Sequence, residues 1–65
     1  MQPHQQRVVD EKSELDIKVK ALSDFIQSSP IYTNLPQEEK SRLLEQYGIM
    51  CNYSDVLGRR IEAFE

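Results

Sequence analysis

The chain has 65 residues, 38% of them hydrophobic and 29% charged, with no Trp and a net charge of −3. That composition is too apolar for a wholly disordered protein and too charged for a membrane span. It has no run of about 18 apolar residues, so a transmembrane helix is excluded, and Met1-Gln2-Pro3-His4 lacks the basic-then-apolar order of a secretory signal.

Residues 4–27 read as one helix, uninterrupted by Gly or Pro. Val8, Leu15, Val19, Leu22 and Ile26 step by seven, four, three and four. Lys12 fills the gap in what is otherwise a heptad seam. Glu14 with Lys18, and Asp16 with Lys20, have the spacing of i, i+4 pairs. Such pairs contribute only about 0.2–0.5 kcal/mol on a helix surface, so they support the helix without causing it.

Residues 28–35 read as a connector. Pro30 disfavours helical geometry at Ser29 and ends the first helix. Asn34 is the expected N-cap of the next helix, with Pro36 in its first turn. Ile31, Tyr32 and Leu35 are too apolar for a free linker and are expected to cover the end of the helix pair.

Residues 36–64 read as a second helix. Leu43, Tyr47, Met50, Leu57, Ile61 and Phe64 keep a four-three spacing, with Ser54 in the one polar slot. Leu44 and Cys51 widen that seam. Gly48 and Gly58 each cost about 1 kcal/mol relative to Ala in a helix interior, which allows a kink or break near Gly48 or, the preferred reading, close approach of another helix. Glu38 with Arg42, and Asp55 with Arg59, have pairing distance along the chain. A further stripe, Ile49, Tyr53, Val56 and Arg60, is not needed by one helix pair.

The expected fold is all-α: one domain over residues 1–65, a two-helix antiparallel hairpin. A chain this short buries only about 60% of its unfolded surface and needs a staple. The lone Cys51 cannot make an internal disulfide and points to a reducing setting. With Cys51 and His4 the only Cys and His, no structural zinc site is expected. Oligomerisation is the staple left. The smallest closed solution is two hairpins forming a homo-oligomeric four-helix bundle, with Ile49, Tyr53, Val56 and Arg60 as the interface.

No catalytic constellation is visible: no Gly-rich phosphate loop, no HExxH, no Ser or Cys patterned with His and an acid. The chain is therefore expected not to be an enzyme and to need no cofactor. His4 reads as a solvated terminal residue and Cys51 as a buried, inert thiol. Residues 4–27 carry four basic and five acidic groups, and residues 36–65 four and six. Neither half has the basic stripe that duplex nucleic acid requires. A small anion needs only two to four donors, and symmetry doubles what one subunit presents. Arg7, Lys18, Arg59 and Arg60 are candidate donors. Arg59 and Arg60 diverge by about 100° and do not serve one site together. Tyr53 and Arg60 share a stripe and suit a nucleobase and a phosphate. The plainer reading of the residues, and the one they favour by themselves, is that Tyr53 packs at a subunit interface and Arg60 pairs with a carboxylate across it, since Tyr and Arg are common interface anchors.

Three phrases carry a resemblance: Arg7-Val8-Val9-x-Glu11-Lys12-x-Glu14-Leu15-x-x-Lys18, then Leu22-x-x-Phe25-Ile26, then Met50-x-x-Tyr53-Ser54-x-x-Leu57-x-x-Arg60-Ile61. Over about residues 5–64 the chain resembles a family of small helical proteins of crAss-like and other tailed phages. Where that pattern commonly has Ser or Asp opening the second helix, this chain has Pro36. The resemblance implies a phage accessory protein in the cytoplasm of the infected bacterial host. Small phage proteins of this kind often oppose host defence. The preferred expectation is sequestration of a cyclic or modified nucleotide signal between subunits, with Arg7, Lys18 and Arg60 on phosphate and Tyr53 on the base. The alternatives are an inhibitor that docks on a host defence protein, or a structural assembly factor.

Overall fold

In the computed structural model, which describes all residues Met1–Glu65, the chain is all-helical. Helix α1 spans Pro3–Ser28, α2 Pro30–Thr33 and α3 Gln37–Glu62. Pro3 opens α1 where its missing N–H costs nothing, and the Gln5 side-chain oxygen accepts from the Gln2 N–H at 2.9 Å. The helix stops at Ser29, which is extended (φ −82°, ψ 128°) because Pro30 follows it.

The connector is more ordered than its composition suggests. Ser29 Oγ accepts from the Ile31 N–H at 3.1 Å, so the residue that ends α1 also caps α2. Pro30 then acts as a helix starter rather than only as a breaker. Asn34 does not cap the helix that follows. Its side-chain amide donates back to the Pro30 carbonyl at 3.0 Å and closes the end of α2. Pro36 itself stands at the N-cap of α3, with no side-chain cap, and Glu38 and Glu39 place carboxylates at the positive end of the helix. Phe25 and Tyr32 meet edge-to-face at 5.9 Å, and the Lys40 ammonium lies 5.7 Å from the Tyr32 ring centre. This cluster closes the turn. Tyr32 and Leu35 are half-buried there, whereas Ile31 points out, 66% exposed.

Helix α3 runs back along α1, and the pair forms a rod 47 × 15 × 14 Å. Val8, Leu15 and Leu57 are the only buried residues, with Val19, Met50, Ile61 and Phe64 packed against them. Leu57 alone has no exposure. Leu44 is half exposed and does not join the seam, and Cys51 is half-buried rather than buried. Helix α3 continues unbroken through Gly48, where a Cβ would meet nothing within 4 Å. Within one chain, Gly48 therefore receives no close neighbour.

The ion pairs differ from the spacing argument at three of four places. Lys12 pairs with Asp16 (2.9 Å), Lys20 with Asp24 (3.4 Å) and Arg42 with Glu39 (2.9 Å). Only Asp55–Arg59 (3.0 Å) forms as expected. Asp16 is taken by a contact across the seam, described below, which leaves Lys20 to turn towards Asp24.

Leu57→Ala should cost about 2–5 kcal/mol, against about 0.5 kcal/mol or less for Ile17→Ala on the exposed face. Urea titrations followed by circular dichroism compare the two. Gly48→Ala should stabilise the isolated chain by about 0.5–1 kcal/mol, since it gains helix propensity in open space. A lowered melting temperature would instead place another helix against Gly48.

Candidate functional site

Two polar positions interrupt the apolar seams, Lys12 on α1 and Ser54 on α3, and packing brings them together. The Lys12 ammonium donates to Ser54 Oγ at 2.9 Å and to Asp16 Oδ2 at 2.9 Å. The Ser54 hydroxyl donates to Asp16 Oδ1, which closes a triangle. A Cβ on Gly58 would lie 3.4 Å from Lys12 Cε, so the glycine leaves the lysine stem its lane across α3. No buried side-chain polar atom lacks a partner. The Ser54 hydrogen bond, then the Lys12 hydrogen bond and charge, hold the Asp16 carboxyl below its ordinary 3.8, opposed by slight desolvation. The Ser54 proton points at a carboxylate and the Lys12 ammonium occupies the Ser54 oxygen. The group holds two helices in register rather than exposing a nucleophile.

The flank opposite this triangle carries the ligand candidates. Arg7, Lys18, Tyr53 and Arg60 are all exposed. Tyr53 and Arg60 are seven residues apart, about 20° around α3, and share its outer stripe with Ile49 and Val56. On α1, Arg7, Glu11, Glu14 and Lys18 form the facing line by the same geometry. With Lys12 and Asp16 set against Ser54, antiparallel counting puts Arg7 level with Arg60, and Lys18 below Tyr53. Lys18 is eleven residues from Arg7, about 16 Å along α1. Within one chain these two cations therefore do not share a single phosphate. Glu11 and Glu14 lie between them, a feature that a search for cations alone overlooks.

The side-chain cations divide in an informative way. Lys12, Lys20, Arg42 and Arg59 are each paired with a carboxylate, and Lys40 sits over Tyr32. Arg7, Lys18 and Arg60 are left without a partner in the chain. Arg59, the fourth candidate donor, is held by Asp55. His4 is exposed, and no three His, Cys, Asp or Glu residues group as metal ligands. No helix is long and apolar enough to cross a membrane.

The Sequestin family model matches residues 2–63. The chain belongs to the Sequestin family. A curated relative, the uncharacterized 7.5 kDa protein in the denB-rIIB intergenic region of Enterobacteria phage T4, is 35% identical over 65 residues, covering all of both chains. The resemblance to small phage proteins read from the three phrases thus holds. No solved structure matches the chain.

Because the folded pKa of Asp16 lies below 3.8, its contribution to stability is present above that pH. It is lost as pH falls through the folded value. Thermal melts of the wild type and Asp16→Asn should differ steadily near neutral pH, and the gap should close below pH 3.8. Ser54→Ala should move the carboxyl titration of Asp16, followed by NMR, back up towards 3.8.

Proposed function

We propose that this chain is a non-catalytic phage accessory protein that opposes bacterial defence in the cytoplasm of the infected host. It does so by sequestering a cyclic or modified nucleotide signal in a site between subunits of a homo-oligomeric helical bundle. The observation that carries the proposal is the partition of cations. Once intrachain pairing is complete, Arg7, Lys18 and Arg60 remain, on the flank where Tyr53 stands 43% exposed. Guanidinium and ammonium groups suit phosphate, and the tyrosine ring suits a base. The family's name is compatible with sequestration, and the T4 relative agrees with a phage setting.

The shape of the molecule favours a shared site. A two-helix rod 15 × 14 Å in section is too thin to enclose a nucleotide, and one chain has no pocket. The hairpin therefore needs a second copy both to complete its core and to wall a ligand. Across an oligomer, the separated Arg7 and Lys18 of different copies can face one ligand.

Calorimetry with a panel of cyclic di- and trinucleotides, at protein concentrations where the oligomer forms, tests this reading. Binding to at least one is expected, weakened at least tenfold by Tyr53→Ala or Arg60→Ala. No heat with any of them would sink it. Ile17 and Leu44, 71% and 50% exposed and off the ligand flank, favour a second reading as a protein inhibitor. A stoichiometric host protein in pull-downs, with no nucleotide released on denaturation, would support that instead.

A further inference from the structure

Ile49, Tyr53 and Val56 are 62%, 43% and 41% exposed along one side of α3, and Arg60 continues the line. Their spacing, four, three and four, reads the same from either end. A two-fold axis at the level of Ser54 and Asp55, with a second α3 running the opposite way, would therefore satisfy the stripe in one operation. Tyr53 would lay one face of its ring on Val56 of the second copy and leave the other face to a base, Val56 would meet the second copy's Tyr53, and each Ile49 would lie under the stem of an Arg60. The sequence places no charged residue between Ile49 and Val56 on this line, so its centre can lose water without stranding a charge.

Charge decides the direction. A parallel two-fold arrangement would set each residue against itself, Arg60 on Arg60, Arg42 on Arg42 and Glu45 on Glu45. The antiparallel arrangement brings Arg60 of one copy to within a turn of Glu45 of the other. Neither has an ion partner in its own chain, because Arg42 takes Glu39 and Arg59 takes Asp55. The two α3 dipoles also run in opposite directions in this arrangement, whereas a parallel one would set like poles side by side.

We infer that the occupant of this stripe is a second copy of the chain, docked α3 against α3 in antiparallel and tied at both ends by Glu45–Arg60 pairs between copies. This rests on the oligomeric part of the reading above and specifies its interface.

Sedimentation equilibrium without nucleotide tests it on the wild type, Glu45→Arg, Arg60→Glu and the double variant, with circular dichroism confirming unchanged helicity. The wild type should be a dimer or a multiple of one. Each single reversal should weaken self-association about three- to tenfold, since two pairs per dimer turn repulsive, and the double variant should recover the wild-type value. A dimeric wild type whose double variant is no tighter than the singles overturns the antiparallel pairing while leaving the oligomer intact. A monomeric wild type overturns the pairing and the shared ligand site together. Full recovery with no heat from any nucleotide supports the pairing and removes only the ligand reading.

Discussion

Lys12 and Ser54 interrupt two otherwise apolar lines, and the rest of the molecule depends on those interruptions facing one another. Aliphatic side chains repeating every three and four residues offer several registers of nearly equal quality. A seven-residue slip of α3 would set the Lys12 ammonium against Tyr47 or Ile61, with neither Ser54 nor its bond to Asp16 to satisfy it. A half-buried ammonium without partners is costly, so the observed register is selected more by the penalty of the others than by the strength of the triangle. Gly58 belongs to the same device, because it leaves room for the lysine stem. Register in turn sets which side chains share a level on the far flank.

The core so defined is thin. Three residues are buried, and Leu57 alone has no exposure. Meanwhile α3 carries Ile49, Tyr53 and Val56 outside. A chain this small cannot offset its conformational entropy generously with so little burial. The stripe and the thin core are two sides of one distribution: the second helix holds more apolar residues than its first partner can cover.

Much of this was legible in the spacing of apolar residues. Val8, Leu15, Val19, Met50, Leu57, Ile61 and Phe64 follow heptad steps, and all of them lie in or against the core. The outward stripe was legible for the same reason, since 100° per residue separates it from the seam. Less legible were features in which one residue serves two neighbours. Ser29 ends α1 and caps α2, so reading Pro30 as a breaker alone misses the short helix. The Asn34 side-chain amide donates back to the Pro30 carbonyl, and the N-cap place of α3 falls two residues on, at Pro36. The triangle was written in the sequence as two separate flaws, a lysine and a serine in apolar lines, and only antiparallel packing shows them to be one contact. Asp16 gave no sign of its role, because its partner lies 38 residues away.

The same competition for partners bears on how an acidic chain could hold an anion. At −3 per copy, long-range attraction is absent, and charges more than about 8 Å away are largely screened at physiological salt. Local donors must decide. Of the eight basic side chains, four are paired within the chain and a fifth lies over an aromatic ring. Pairing thus removes most of the basic groups from consideration and leaves Arg7, Lys18 and Arg60 on one flank. In the proposed assembly Arg60 would meet both a carboxylate of a second copy and a phosphate. A guanidinium has five N–H donors on two edges, so a carboxylate on one edge leaves the other free. A lysine there would present its three donors from a single point rather than along two flat edges. In the proposed assembly, self-association and ligand capture would use the same residue without competing for the same hydrogens.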